Sequence, residues 1–181
     1  MCQANLLRVV VVGTSCSGKT TFARCLAGRL GTRCVELDSL YWGHAWTPRT
    51  DFEQQVRLEI QGPRWVIEGN YSSVRDIIWK RSTAIVWLDY SFVRVLSQAV
   101  RRTLRRVVFR ERLYGGNRET IRRALFDIDT PLWLVVRTYR RRRREFPKLF
   151  DRREYRHLKM IRLRAPAAAK LLLAKLERGF T

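Results

Sequence analysis

The chain has 181 residues, of which 46% are hydrophobic and 11% aromatic, so it has enough apolar material for a packed core and is not a wholly disordered protein. Its 37 Lys and Arg residues outnumber 16 Asp and Glu residues, which gives a formal net charge of +21. This charge indicates anionic ligands, namely nucleotide phosphates, nucleic acid or an anionic membrane surface. No apolar run approaches the roughly 20 residues needed to cross a bilayer, so we expect no membrane span.

The cysteines and the N-terminus bear on the cellular compartment. Cys2, Cys16, Cys25 and Cys34 all fall in the first 34 residues, without a CxxC pair or clustered histidines. This pattern indicates neither a zinc site nor a disulfide framework. There is no Lys/Arg-rich leader followed by a small-residue cleavage site, so we expect a cytoplasmic protein that begins at Met1.

The first elements are predicted from an apolar run and the helical spacing that follows it. Leu7 to Val12 is a β-branched run that leads into a glycine-rich stretch, after which Thr20 to Leu30 has helical spacing. This order predicts a strand, a loop and a helix, and Gly31 is typical of a helix C-cap. A short second strand is expected from Thr32 to Leu37, ending at Asp38.

Three further strands complete the predicted sheet. They are expected at Trp65 to Ile67, Ala84 to Leu88 and Leu158 to Leu163. The first two are followed directly by acids, Glu68 and Asp89, and a closing helix is predicted from Pro166 to Leu176. Five strands interleaved with helices predict a three-layer α/β fold with a parallel sheet and right-handed crossovers.

Residues 91–150 form a predicted insertion between the last two strands. They contain no convincing strand and carry much of the arginine. We expect an Arg-rich helical lid over the carboxyl edge of the sheet, broken near Gly115-Gly116 and Pro131. The apolar face of its first helix is predicted to contain Val93, Leu96, Val100, Leu104 and Val107. No repeat or Gly/Ser linker divides the chain, so residues 1–181 are expected to form a single domain.

The most specific motif is GTSCSGKT at positions 13–20, which matches the phosphate-loop pattern G-x-x-x-x-G-K-[ST] without a substitution. Its glycines permit special backbone angles and close ligand approach, while the main-chain N–H groups and the helix N-terminus attract phosphate. Lys19 is expected to reach the β- and γ-phosphates of ATP, and the Thr20 hydroxyl is expected to bind Mg²⁺. The predicted nucleotide-binding residues are Gly13, Thr14, Ser15, Cys16, Ser17, Gly18, Lys19 and Thr20.

Seven more segments resemble one family over nearly the whole chain. They are ELDSLYW at 36–42, WTPR at 46–49, WVIEGNYSSVRD at 65–76, IVWLDY at 85–90, GGNRET at 115–120, RTYRRRRREFP at 137–147 and HLKMIRLRAP at 157–166. Together with the phosphate loop, they resemble small P-loop kinases of the bacterial group labelled adenylate-kinase-like or topology modulation proteins. This resemblance implies a P-loop NTPase fold and transfer of the γ-phosphoryl group of Mg-ATP to a small acceptor, most typically a nucleoside monophosphate.

The resemblance also assigns roles on the metal and acceptor sides. The chain has Glu68-Gly69-Asn70 where the family usually has Asp-Gly-Asn. Glu68 resembles the acid that holds a magnesium-bound water in adenylate kinases. Asp38 resembles the acid that binds or deprotonates an acceptor hydroxyl in sugar and shikimate kinases, although the position is equally typical of a helix N-cap. Arg49 and Arg75 resemble arginines that hold the acceptor phosphate in nucleoside-monophosphate kinases. Arg164 resembles an arginine of the adenine-side loop.

Aromatic residues near the acceptor side have two interpretations. Tyr41, Trp42 and Trp46 are suited to stacking on a base, which favours a nucleotide acceptor, and equally suited to core packing.

Arginines of the insertion are candidates for neutralising charge during phosphoryl transfer. We select Arg102, Arg106 and Arg118 as catalytic candidates, although each is also suited to a solvated helix surface. The run from Arg140 to Arg144 cannot face one small ligand on all sides, so most of it is expected to be solvated or to bind a polyanion. The alternative function is therefore a nucleic-acid-binding P-loop ATPase, similar to DNA topology modulation proteins, that uses this basic surface.

Overall fold

A computed structural model describes the backbone of residues 6–109 and 131–177. The strands are β1 (Arg8–Gly13), β2 (Cys34–Glu36), β3 (Trp65–Glu68), β4 (Ala84–Leu88) and β5 (Lys159–Leu163). The helices are α1 (Lys19–Arg29), α2 (Leu37–Tyr41), α3 (Phe52–Glu59), α4 (Ser72–Arg81), α5 (Phe92–Phe109), α6 (Pro131–Phe150) and α7 (Pro166–Glu177). Short 3-10 turns lie at His44–Trp46 and Arg153–Tyr155.

The five strands form one parallel sheet in the order β2-β3-β1-β4-β5. The central strand β1 is the one that leads into the phosphate loop. This topology confirms the predicted α/β class with a five-stranded parallel sheet, the architecture of P-loop NTPases. The second strand is shorter than predicted, because α2 begins at Leu37 and takes that residue out of the strand.

Side chains of the central strand alternate between two hydrophobic cores, one on each face of the sheet. Val9 and Val11 face a core formed with α1, α5 and α7. Val10 and Val12 face a second core formed with α3 and α4. Both faces of the strand are buried, which is why its sequence is a continuous apolar run, and the fold has three layers as predicted.

Helix α6 contributes to both cores. Val135 and Tyr139 pack in the core on the α1 face. Phe146 and Leu149 pack in the core on the α4 face. The middle of α6 therefore passes over the carboxyl edge of the sheet, where the sequence predicted the helices of the insertion to lie. The predicted break at Gly115-Gly116 lies outside the described residues, whereas the helix does begin at Pro131.

The orientation of α5 differs from the predicted one. Val93 and Leu104, members of the predicted apolar face, are 76% and 60% exposed. The buried face instead contains the smaller residues Val95, Ala99 and Thr103. Helical periodicity groups residues by face, but it does not determine which face turns inward when both carry apolar or small residues. The side chain of Val107 lies outside the described part of the chain.

Within the described ranges, no helix is both long enough and apolar enough to cross a membrane.

Asp89, directly after β4, ties three elements together. Its carboxylate is 1% exposed and pairs with Arg143 of α6, Nε to Oδ1, at 2.9 Å, and with Arg162 of β5, Nη2 to Oδ2, at 2.5 Å. The Arg162 guanidinium also lies 4.4 Å from the centre of the Trp87 ring. Asp89 is therefore a structural anchor for α6. The first turn of α5 is bound by a different side chain, because the Ser91 hydroxyl accepts the N–H of Arg94 at 3.4 Å.

We predict that Asp89→Asn lowers the free energy of unfolding by about 1–3 kcal/mol, because two arginines lose a buried anionic partner but can still reach solvent. Urea denaturation measures this change. The control is Asp151→Asn, whose side chain is exposed. Equal stabilities of the two variants would contradict the anchoring role.

Candidate functional site

The phosphate loop has the backbone that its two glycines predict. Gly13 has φ 153°, and a Cβ there would lie 2.7 Å from the carbonyl oxygen of Leu88. Gly18 has φ 86°, and a Cβ there would meet no atom within 4 Å. The first glycine is thus required for close packing and the second for a left-handed turn at the start of α1.

Two polar groups of the loop fit an anion. The Lys19 ammonium donates to the carbonyl of Thr14 at 3.2 Å. Burial lowers the pKa of Lys19, and the nearby carboxylates of Glu68 and Asp38 oppose that shift. The Ser17 hydroxyl is buried and has no hydrogen-bond partner in the part of the chain that the structure describes. A phosphate group would satisfy both, as the motif predicts.

Thr20 and Glu68, the predicted metal-site residues, lie side by side. The Thr20 hydroxyl donates to Oε1 of Glu68 at 3.0 Å. Glu68 is 3% exposed, and this burial raises its pKa while Lys19 opposes the shift. Within the described residues there is no cluster of three or more His, Cys, Asp and Glu that could enclose a metal. The pair fits Mg²⁺, which usually takes few protein oxygens and keeps several waters and substrate phosphates as ligands.

Asp38 lies in the first turn of α2, and its carboxylate faces Tyr71. The Tyr71 hydroxyl donates to Oδ1 of Asp38 at 2.7 Å, and burial together with Asp38 raises the pKa of that tyrosine. Glu36 occupies the N-cap position of α2, so Asp38 is not the cap residue. The carboxylate instead contributes to the electrostatic environment of Lys19 and Glu68, across the sheet edge from the loop.

The two predicted acceptor arginines lie in different environments. The Arg75 guanidinium pairs with Glu145 of α6 at 3.0 Å and lies 5.7 Å from the centre of the Trp79 ring. Arg49 forms two hydrogen bonds to Asp51, at 2.6 and 2.9 Å, and this pairing holds the pKa of Asp51 at about 2. Among the described residues, therefore, Arg75 is joined to α6, whereas Arg49 is paired at the exposed start of α3.

One of the three predicted catalytic arginines reaches the loop. Arg102 of α5 donates to the Cys16 sulfur at 3.8 Å, and its Nε has no partner among the described residues. The side chain of Arg106 and all of Arg118 lie outside the described part of the chain. Arg164, the predicted adenine-side residue, is exposed directly after β5.

Arg142 is a site residue that the sequence interpretation missed. Its guanidinium donates to the carbonyl of Gly13 at 3.0 Å. Burial and the neighbouring Arg141 lower its pKa to about 10, while Glu145 and Asp38 oppose that shift. In the sequence Arg142 is the middle of five identical residues, and only the crossing point of α6 distinguishes it. Arg140, Arg141 and Arg144 are exposed, as expected for most of the run.

Asn70 also contacts the loop without having been predicted to do so. Its carboxamide binds both the N–H and the C=O of Gly13. The signal was the Gly-Asn pair that follows β3, which the sequence interpretation used only for its likeness to a family.

The aromatic residues near Asp38 pack on one another. The Tyr41 ring centre lies 4.7 Å from that of Trp42 and 4.5 Å from that of Tyr71. Trp42 in turn contacts Trp46, with ring centres 5.6 Å apart. Packing accounts for these contacts, and base stacking remains a prediction.

Comparisons with known proteins add little to this geometry. No family model matches the sequence, and no curated protein is significantly similar to it. A similar solved structure is a gluconokinase from Sinorhizobium meliloti 1021, with 17% identity, 97% of this chain and 95% of that chain covered, and a TM-score of 0.49. The class of the protein, a P-loop NTPase fold, therefore rests on its own sheet order and loop. The resemblance to the topology modulation group stays a prediction.

We predict that Glu68→Gln stabilises the ligand-free protein. Because burial raises the pKa of Glu68, the folded state binds this proton more tightly than the unfolded chain, and stability from this site is lost as the pH rises. Gln keeps an oxygen for the Thr20 hydroxyl without the charge, so we expect a thermal midpoint about 2–4 °C higher at pH 7. The difference should shrink as the pH falls and the wild-type carboxylate becomes protonated.

The control for this measurement is Glu53→Gln, which alters an exposed pair with Arg57. A lower midpoint for the Glu68 variant, or a difference that does not vary with pH, would contradict the assignment of burial as the cause.

Proposed function

We propose that the protein is a phosphotransferase that moves the γ-phosphoryl group of Mg-ATP to a small acceptor. The observation that supports this most directly is the meeting of three groups: the loop ammonium of Lys19, the Thr20–Glu68 pair and the second carboxylate, Asp38. A loop that only binds nucleotide needs the first two. A second acid facing the same lysine suits an acceptor held in line with the transferred group.

The proposed roles fall into two groups: some residues would bind ATP, the phosphoryl donor, and others would hold Mg²⁺. Lys19 would neutralise β- and γ-phosphate oxygens, and Ser17 would donate to phosphate with its hydroxyl, which has no partner in the described part of the chain. Arg102 and Arg142, which both reach the loop, would stabilise the negative charge that spreads over the γ-phosphoryl oxygens. Thr20 and Glu68 would hold Mg²⁺, which supplies charge neutralisation when bound. Arg106, Arg118 and Arg164 remain proposed ligands of the same nucleotide.

The finer proposal is that the acceptor is a nucleoside monophosphate. Arg75 and Asp38 both lie close enough to Arg142 to shift its pKa, Arg75 downward and Asp38 upward, so two cations and one acid share this part of the site. Such a charge arrangement favours an anionic acceptor. Its phosphate oxygen would attack the γ-phosphorus as the bond from that phosphorus to the β–γ bridging oxygen breaks and ADP leaves. Asp38, held by Tyr71, would bind a hydroxyl of the acceptor. Arg49 would join Arg75 on the acceptor phosphate. Residues 91–150 would act as a lid on a single domain, 1–181.

We predict that the purified protein with Mg-ATP transfers radiolabelled phosphate to at least one nucleoside monophosphate in a panel that also contains sugars and sugar acids. Lys19→Ala should lower the rate on the order of 10³-fold, because a preorganised charge on the γ-phosphoryl group is lost. Lys80→Ala, at an exposed position of α4, serves as the matched control. Transfer to a sugar alone would overturn the acceptor class, and transfer to no acceptor would overturn the phosphotransferase.

A second candidate function is nucleic-acid binding by an exposed face of α6. Arg137, Arg140, Arg141, Arg144 and Lys148 are all exposed and recur at helical spacing, so they line one side of the helix. This side is distinct from Arg142 and Arg143, which contact the loop and Asp89. A stripe of five cations on a chain of net charge +21 is suited to the regular phosphates of a duplex.

For this candidate we predict that duplex DNA is retained with an affinity that falls steeply between 50 and 200 mM salt. The slope of log affinity against log salt concentration should be about −0.9 for each phosphate contact. Replacing Arg140, Arg141 and Arg144 with Gln should make that slope shallower by the amount expected for about three phosphate contacts. Fluorescence anisotropy against salt concentration measures both slopes. Identical slopes would exclude this face as the binding surface.

A further inference from the structure

The hydrogen-bonded ladder between β1 and β3 stops before the phosphate loop. Its last register pair joins Val11 to Glu68, after which the N–H of Gly69 donates to the carbonyl of Val11 at 3.3 Å. Gly69 has φ 146°, and the chain turns away there. Strand β1 continues to Gly13, which is paired with Leu88 of β4 on its other side. Among the strands of the described residues, Gly13 is therefore paired on the β4 side alone.

The direction of the Gly13 peptide groups follows from the alternation along β1. The N–H of Trp65 donates to Leu7 on the β3 side at 3.0 Å, and the N–H of Thr83 donates to Arg8 on the β4 side at 2.8 Å. In a parallel sheet, alternate residues of a strand bond to opposite neighbours. Gly13 is an even number of residues from Leu7, so its N–H and C=O point to the side where β3 has ended.

The side chain of Asn70 takes the place of the missing strand. Its Oδ1 accepts the N–H of Gly13 at 3.2 Å, and its Nδ2 donates to the C=O of Gly13. A carboxamide carries both an acceptor and a donor, as a peptide group does, whereas a carboxylate has acceptors only. Asn70 therefore binds both main-chain groups of Gly13 with one side chain, and Arg142 shares only the carbonyl, at 3.0 Å, so the N–H is bound by Asn70.

The carbonyl of the next residue, Thr14, receives the Lys19 ammonium at 3.2 Å. We infer that Asn70 is a positioning residue: it orients the Gly13 peptide and thereby sets the Thr14 carbonyl that seats Lys19. The adjacent Tyr71 holds Asp38 by its hydroxyl. One turn, residues 69–71, thus links the lysine of the phosphate loop to the acid on the acceptor side. The inference rests on the proposed function for the identity of the ligand, a nucleoside triphosphate.

The test is a double-mutant cycle on Mg-ATP affinity, measured by calorimetry without an acceptor. Asn70→Ala should weaken binding about 10-fold, the equivalent of one to two hydrogen bonds. In a Lys19→Ala background the same change should cost less than about 2-fold, because the group that Asn70 positions is gone. Ser73→Ala, exposed in the same region, is the control. An equal loss in both backgrounds, or no loss in either, would overturn the inference.

A second measurement needs no ligand. Hydrogen exchange of the Gly13 amide should be faster in Asn70→Ala, because its acceptor is removed, and nearly unchanged in Asn70→Asp, which keeps the acceptor but lacks the donor to the Gly13 carbonyl. Asn70→Asp also replaces the alanine variant in the binding cycle if the latter does not fold. Unchanged Gly13 exchange in a folded Asn70→Ala variant would refute the positioning role even if phosphate transfer is found. Absence of transfer would count against the proposed function alone.

Discussion

The Lys19 ammonium is a half-buried cation, and charged side chains of both signs surround it. Burial lowers its pKa, and the carboxylates of Glu68 and Asp38 oppose that shift. Arg142 lies close enough to lower the pKa further and adds to the positive charge. Concentrating like charges costs folding free energy, which the two large cores on either face of the sheet must offset. The buried Ser17 hydroxyl, which has no hydrogen-bond partner among the residues that the structure describes, adds to this cost. Such a site is suited to a polyanion that satisfies all of these groups together.

Two acids that look alike in the sequence have opposite environments in the fold. Glu68 and Asp89 each follow a buried strand directly. Glu68 meets the hydroxyl of Thr20 and no arginine pairs with it in the described contacts. Asp89 is paired by Arg143 and Arg162, so its oxygens are already committed. The difference arises because β4 lies next to β5 and under α6, which supply the arginines, whereas β3 lies between β2 and β1, where α1 supplies the Thr20 hydroxyl.

Much of the fold could be predicted because its strands are buried on both faces and therefore stand out as apolar runs. The loop could be predicted because its glycines and Lys19 occur at a spacing that few other structures need. Thr20 and Glu68 were expected to share the metal on the strength of the loop motif and the family resemblance, and the structure brings the two side chains together. Arg142 could not be selected, since its neighbours in the sequence are identical and the crossing point of α6 depends on distant packing. The prediction of which face of α5 is buried was wrong for a related reason, because the residues that pack against this helix lie far away in the sequence.

Helix α6 is packed into the hydrophobic cores on both faces of the sheet. Tyr139 is inserted on one face of the sheet and Phe146 on the other. Moving α6 away from the sheet would expose apolar side chains on both faces at once, at a free-energy cost of about 1.5–3 kcal/mol for each side chain that is fully exposed. Rotation of α6 about the contact in one core is resisted in the same way by the contact in the other core. Any movement of α6 relative to the sheet, such as the proposed lid role requires, therefore has to overcome contacts in both cores at once.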